Sequence, residues 1–331
     1  MELRDLTKGH ARAVCDLWNN TCDEEGLSYF SWDVPEVSRL FLTSRKTAIL
    51  HSFVCVMETE VVAFVSGTWV PSTNRAYLTT LLVDSRHRNQ GVGKHLLTHL
   101  EQTMRHHHPT MTTMETVFFN PVHLRIQLSD TPMHHPNAPG IPQSSSLVGF
   151  LLVRGYGVYA TQDVFLRTLD DALPPAPTNA SSLHVTAYDP DKYKDWDNLW
   201  SDLRNPHWEQ AITQSLQDHP NRPILIVTDG SGIYGFAGPL YLDETGRGCF
   251  AGIGVHSSLR GQGLGKSLFE QLCRSFRDMG ATYMSLFTGQ ENPAGRLYRK
   301  TGFRVVESFV NLRKTWSGLD GTNVRDSSER L

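Results

Sequence analysis

The sequence predicts two tandem α/β domains, each a mostly antiparallel mixed sheet flanked by helices. Three observations predict this. The chain has 331 residues, and a single core rarely organises more than ~200. It also repeats itself. Val83-Asp-Ser-Arg-His-Arg88-Asn89-Gln90-Gly91-Val92-Gly93-Lys94 is matched by Val255-His-Ser-Ser-Leu-Arg260-Gly261-Gln262-Gly263-Leu264-Gly265-Lys266, at a constant offset of 172. Finally, a stretch rich in Pro, Ser and Ala at 171–182 separates the copies and carries no apolar period, as a linker does. Two copies make a duplicated domain and not a solenoid.

The elements follow the same order in each copy. Residues 7–20 and 190–204 carry helical patterns. Paired strands follow at 51–57 and 61–70, and at 223–228 and 233–241, with short polar turns between them as in hairpins. Strands at 77–83 and 249–255 lead into the glycine loops. Val92, Leu96, Leu97, Leu100 and Met104, like Leu264, Leu268, Phe269, Leu272 and Phe276, then line one face of a helix. Strands at 112–119 and 282–287, helices at 147–154 and 294–300, and apolar strands after Gly155 and Gly302 close the copies. The expected organisation is a first domain over 1–170, a linker over 171–182, a second domain over 183–316 and a loose polar tail over 317–331.

Composition narrows the function. Lys and Arg number 31 against 34 Asp and Glu, a net charge of −3. That removes the usual electrostatic footprint of a nucleic-acid binder. No run reaches the ~18 apolar residues of a membrane span. The first residues, Met1-Glu-Leu-Arg-Asp5, lack the apolar core of a signal peptide. Five scattered cysteines make no disulfide framework. The expectation is a cytoplasmic protein without a membrane or nucleic-acid partner.

A strand that ends in a Gly-rich loop and opens a helix makes an anion site. The first helical turn leaves N–H groups unpaired and carries partial positive charge. Glycines let a phosphate approach the backbone closely, and Arg88 and Arg260 each add a cation. Neither copy is a P-loop, because Arg88 and Arg260 stand where its first glycine must be. Neither has the G-x-G-x-x-G of a dinucleotide site. What both have is R-x-x-G-x-G after a strand. This resembles the pyrophosphate-binding motif of the GNAT acetyltransferase superfamily. The second copy continues Asn292-Pro-Ala-Gly-Arg-Leu297-Tyr298-Arg-Lys-Thr-Gly302-Phe303, which looks like the late motif of the same family. The usual spacing there would put the Asn at Glu291. The resemblance spans nearly the whole chain, as two fused GNAT domains.

The resemblance implies an N-acetyltransferase, moving an acetyl group from acetyl-CoA, its co-substrate, to a primary amine by direct attack. It implies coenzyme contacts from Ile253, Val255, Arg260, Gly261, Gln262, Gly263, Leu264, Gly265, Lys266 and Asn292. In the first copy they come from Val83, Arg88, Asn89, Gln90, Gly91, Val92, Gly93 and Lys94. Tyr298 matches the family's tyrosine that protonates the departing thiolate. Glu291, Asp243, Glu244 and His256 are candidates for the base by neighbourhood, Glu291 first among them. In the first copy Leu151 stands at the place of Tyr298 and cannot donate a proton. The second copy is therefore the expected catalytic one and the first a degenerate or auxiliary copy.

Two alternatives remain open. Gly155 lies 64 positions after Gly91 in the first copy, against 39 from Gly263 to Gly302 in the second. The excess falls in 120–146, a Pro- and His-rich insert with no expected helix or strand. That insert could supply an acid and a base to a first-copy site. The chain could also be a non-catalytic acyl-CoA-binding or interaction module. Adjacent histidines such as His106-His107-His108 point in different directions and suit a helix end, so no metal site is expected. Trp196, Leu199, Trp200 and Leu203 read as core packing. The acceptor is a small-molecule or peptide amine, and the oligomeric state is open.

Overall fold

A computed structural model describes residues 1–128, 133–169 and 182–316. Most of the expected linker and all of the tail lie outside the described residues. In chain order the first copy holds β1 (Glu2–Asp5), α1 (Ala11–Glu25), α2 (Val34–Val37), β2 (Ile49–Met57), β3 (Glu60–Val70), β4 (Arg75–Val83) and α3 (Val92–His107). It continues with β5 (Thr113–Glu115), β6 (Ile126–Gln127), β7 (His134–His135), β8 (Ile141–Pro142), α4 (Ser146–Leu152) and β9 (Gly157–Thr168). The second copy holds β10 (His184–Ala187), α5 (Asp197–Leu203), α6 (Pro206–Asp218), β11 (Leu225–Thr228), β12 (Ile233–Gly238), β13 (Tyr241–Leu242), β14 (Arg247–Cys249) and β15 (Gly252–Val255). It ends with α7 (Leu264–Asp278), β16 (Tyr283–Gly289), α8 (Ala294–Lys300) and β17 (Arg304–Thr315).

The chain folds into two compact units, and these cut across the repeat. Among the described residues, unit 1 draws on Met1–Gln127, His135–Gln162 and 308–316; unit 2 draws on 128, 133–134, 163–169 and 182–307. The expected contiguous segments 1–170 and 183–316 therefore describe the repeat and not the units. The end of β9 belongs to unit 2, and the end of β17 returns to unit 1. Both strands are long, at 12 residues each, which lets one strand serve two bodies.

In unit 1 the sheet runs β1-β2-β3-β4-β5 and continues onto β17. Strands β1 to β4 are antiparallel neighbours, and β4 and β5 are parallel. The returning strand pairs antiparallel with β5, Lys314 opposite Met114, and with β8, Phe309 opposite Pro142. The core holds the apolar face of α3, Val92, Leu96, Leu97, Leu100 and Met104, against Val65, Leu78 and Leu81 of the sheet, with Val310 and Leu312 of β17. Each such side chain contributes about 1.5–3 kcal/mol on burial.

Unit 2 repeats the scheme with β10-β11-β12-β15 antiparallel, and with β14 parallel to β16. Its core holds Leu264, Leu268, Phe269, Leu272, Cys273 and Phe276 of α7, with Phe165 and Leu169 from the end of the first copy. A second cluster packs Trp196, Trp200, Leu203 and Trp208 around Phe236 and Leu199; the rings of Trp196 and Trp200 stack at 5.2 Å.

Several elements differ from expectation. The helix expected over 190–204 begins at Asp197, and α6 follows it, started by Asn205, whose carboxamide accepts from the N–H groups of His207 and Trp208. The strand expected over 112–119 shrinks to β5. The strand expected over 233–241 breaks at the cis Gly238–Pro239 bond. The strand expected over 249–255 breaks at Phe250 and Ala251, since its halves pair with different strands. Among its described residues the insert 120–146 carries three two-residue strands where none was expected; of these, β8 finds an edge on β17.

Candidate active site

The two glycine loops share one backbone course. Each strand is followed by a single 3-10 turn, Ser85–His87 or Ser257–Leu259. Arg88 and Arg260 are extended and turn back on their strands, with Nε donating to Val83 O at 3.0 Å and to Val255 O at 3.4 Å. Two left-handed residues follow, separated by one glutamine: Asn89 (φ 60°) and Gly91 (φ 85°), then Gly261 (φ 79°) and Gly263 (φ 82°). Asn tolerates this region better than most side chains, so the motif keeps its shape in unit 1 without the first glycine. Gly91 and Gly263 are the N-caps of α3 and α7, and neither helix start receives a side-chain cap. No atom would lie within 4 Å of a Cβ at either. The N–H groups of the first turn are therefore left without a side-chain cap, the arrangement that receives an anion.

The strands in front of the loops have an open edge. In unit 1, β4 pairs with β5 only at Ala76–Met114 and Tyr77–Glu115, and the strands then diverge. In unit 2, β14 pairs with β16 only at Arg247–Tyr283 and Gly248–Met284, after which β15 pairs with β12 alone. Val83, Ile253 and Val255 belong to these diverging segments. Such an edge presents backbone donors and acceptors to an extended ligand, as an edge strand does to an added one.

In unit 1 this opening contains a cavity of about 110 Å³. Thr79–Val83, Arg88, Trp18, Glu25 and Tyr29 are among the residues that line it. The insert supplies Leu124, Gly140, Ile141 and Pro142. A second cavity of about 30 Å³ adjoins it, lined by Asn120 and Asn137 of the same insert. Cys22 lines the larger cavity as a thiol pushed up to about 12 by burial, and so is not a nucleophile.

The remaining expected residues fall as follows. Val92 and Leu264 are core residues of their helices, whereas Lys94, Gln90, Gln262 and Lys266 are exposed. Gln90 donates to Arg86 O at 3.0 Å, and Lys266 pairs with Glu270 at 3.6 Å. Gly93 packs α3 on β4: a Cβ there would meet Phe150 at 3.1 Å and Val83 at 3.2 Å. Gly265 has no such constraint, its nearest neighbour being Val255 at 4.0 Å.

Tyr298 lies on α8, its ring 5.1 Å from Phe269 of α7 and 5.4 Å from Phe165. Burial pushes its hydroxyl up to about 12, so it is protonated at neutral pH. Leu151 is fully buried on α4 in unit 1, among the residues of α3. Glu291 is exposed in the turn before α8. Asn292 is half-buried and its side chain accepts from Ala294 N–H at 2.9 Å, so it caps the turn into α8.

Among the other base candidates, Asp243 is a poor one. Burial raises its carboxyl, but hydrogen bonds from Thr245 and Arg247 outweigh that and bring it to about 2. Glu244 is exposed. His256 caps the 3-10 turn, with Nδ1 2.8 Å from Ser258 Oγ and Nε2 3.9 Å from Asp202. The residues that sequence reasoning missed are Glu24 and Glu25, at the end of α1 beside Arg88.

The sequence profile of the acetyltransferase (GNAT) family matches residues 13–121 and 186–303. The chain belongs to the GNAT family. It is an acyltransferase of that family with two GNAT repeats, and both matches span a glycine loop. Solved structures share the fold. A GCN5-related N-acetyltransferase from Sphaerobacter thermophilus is 19% identical, with TM-score 0.64, covering 96% of this chain and 97% of that one. A tandem GNAT protein from the clavulanic acid biosynthesis pathway is 16% identical, with TM-score 0.58, over 96% and 99%. A GCN5-related glucosamine N-acetyltransferase region of a fungal multi-domain β-N-acetylglucosaminidase is 14% identical, with TM-score 0.64, over 94% of this chain and 38% of that one. No curated protein sequence matches the chain. Among the described residues no helix is long and apolar enough to cross a membrane, and no three His, Cys, Asp or Glu side chains gather as a metal set.

Proposed function

We propose that this GNAT protein transfers acetyl from acetyl-CoA to a primary amine of a small molecule or peptide, in the cytoplasm, with unit 2 catalytic and unit 1 an auxiliary copy. The observation that carries the assignment to unit 2 is Tyr298, a buried phenol on the helix packed against α7, where unit 1 has Leu151. In this reading the open N–H groups after Gly263 and the guanidinium of Arg260 hold the pyrophosphate. The free edge of Ile253–Val255 aligns the pantetheine arm. The amine nitrogen attacks the thioester carbonyl, a C–N bond forms and the C–S bond breaks. The amine proton leaves to a base, for which Glu291 is the candidate, through water. The departing thiolate takes the proton of Tyr298. Holding amine and thioester together supplies much of the acceleration.

The test is Tyr298→Phe assayed by thiol release over an amine panel. A fall in kcat of about 10²-fold with coenzyme binding intact supports the assignment. Full activity moves the reaction out of unit 2. A second reading, turnover in unit 1, is favoured by the cavity that the 120–146 insert walls beside β4. It is distinguished by Gly91→Trp abolishing turnover while Gly263→Trp spares it. Coenzyme binding without turnover across the panel would point to a binding module.

A further inference from the structure

The two loops have the same backbone but not the same electrostatics. In unit 1 the guanidinium of Arg88 is held between two carboxylates, with Nη2 3.3 Å from Glu24 and Nη1 3.4 Å from Glu25. In unit 2 Arg260 is exposed and has no carboxylate within 4.0 Å among the described residues. The nearby acid of α5, Asp202, is occupied by the N–H and hydroxyl of Ser257. Glu24 makes the matching contact in unit 1, accepting from Ser85 Oγ at 2.8 Å, but it also reaches Arg88. Glu25 has no acidic counterpart, since Leu203 ends α5.

A second observation sets these acids apart. Asp23, Glu24 and Glu25 occupy the last turn of α1, with no basic residue in that turn. Acids there oppose the helix dipole. This is offset by partners outside the helix. Glu25 accepts from Ser146 N–H at 3.0 Å and from the hydroxyls of Ser145 and Ser146, tying the start of α4 to the Arg88 loop. One carboxylate pair thus neutralises the cation that the loop would offer a phosphate, and holds it beside the cavity.

We infer that Glu24 and Glu25 set the affinity of the unit 1 loop for acetyl-CoA below that of unit 2, by competing with the pyrophosphate for Arg88. This rests on the acetyl-CoA reading above. A pyrophosphate entering unit 1 must either displace the two carboxylates or bind in their negative field. In unit 2 it meets a guanidinium that donates to Val255 O and has no carboxylate within 4.0 Å among the described residues, with Asp202 acting on it only at longer range. Glu24 and Glu25 are positioning residues for Arg88, not catalytic ones.

The experiment is calorimetric titration of acetyl-CoA into the full chain, as wild type, Gly91→Trp, Gly263→Trp, Glu24→Gln and Glu25→Gln. The expected wild-type result is a tight site lost in Gly263→Trp and a weaker or undetected site in unit 1. Glu24→Gln should tighten the unit 1 site about two- to fivefold, or bring it into range, and leave the tight site unchanged. Because Glu25 also anchors α4, Glu24→Gln is the cleaner variant, and unchanged far-UV circular dichroism is its folding control. Equal sites in wild type overturn the inference. So does a tighter site lost in Gly91→Trp, or a unit 1 site that neither glutamine variant strengthens. No binding to any form overturns the acetyl-CoA reading itself, a result distinct from two equal sites.

Discussion

Lys314, on the last strand of the second repeat, places its ammonium 2.9 and 2.7 Å from the two carboxylate oxygens of Glu101 on α3 of the first. Both residues are in unit 1, and Tyr156 completes the group by donating to Glu101 at 2.9 Å. Beside it, Arg313 Nε donates to Glu115 at 2.7 Å. The returning strand is therefore held by two mostly buried acids as well as by its ladder with β5.

Removing the cation should be costly. Lys314→Met leaves Glu101 mostly buried without its counter-charge and should destabilise unit 1 by about 2–4 kcal/mol. The double variant Lys314→Met with Glu101→Leu should recover much of that. Urea unfolding of the two variants measures the difference; equal stabilities would show that the pair contributes little.

Much of the fold could be read in the sequence because its signals are local. The repeat, the Gly loops and the period of α3 and α7 need only a short window. The crossing of β9 and β17 between units does not show there. Both are apolar strands after a glycine, and nothing in either states which sheet receives it. The break at Phe250–Ala251 was hidden for a similar reason. Cys249 to Val255 is a continuous apolar run, and only the divergence of its neighbours divides it. Helix α6 carries a local signal of its own, Asn205 as cap and Pro206 at the first helical position. Glu24 and Glu25 had none, since their partners lie more than sixty residues away in Ser85 and Arg88.

Equivalent glycines should behave oppositely. Gly265→Ala places a methyl in the first turn of α7 with its nearest neighbour at 4.0 Å, and should be neutral or stabilising by up to about 1 kcal/mol. Gly93→Ala meets Phe150 and Val83, and should cost about 1–3 kcal/mol by overpacking. Thermal unfolding of the pair checks the sign of each.

Gly263→Ala should lower stability by about 1–2 kcal/mol through backbone strain alone, because its left-handed φ of 82° is accompanied by no steric contact. Asn at the same position should recover part of that loss, as Asn89 does naturally at φ 60°. Denaturant midpoints of the two variants make the comparison.

Stability should fall in mild acid through the histidines at the end of α3. His51 Nε2 lies 2.9 Å from His108 Nε2, so one neutral ring donates to the other. Burial, then the neighbouring His108 and His107, lowers His51 to about 4, and burial also lowers His108. The unfolded chain takes up these protons near pH 6.5, whereas the folded chain resists until well below it. The stabilisation is full above pH 6.5 and is lost as pH falls from there towards 4. His51→Gln should flatten the dependence of Tm on pH over that window, and an unchanged slope would place the sensitivity elsewhere.

The return of β17 to unit 1 also has a consequence in time. A ribosome that has finished the first repeat has made every part of unit 1 except the strand that closes its sheet. That strand emerges only after the whole second repeat, roughly 7–30 seconds later at ~5–20 residues per second. Until then the β5 edge and the apolar positions met by Val310 and Leu312 stay uncovered. The nascent chain cannot complete its halves one after the other, as two separate domains would, and its first half is the natural client for a chaperone during synthesis.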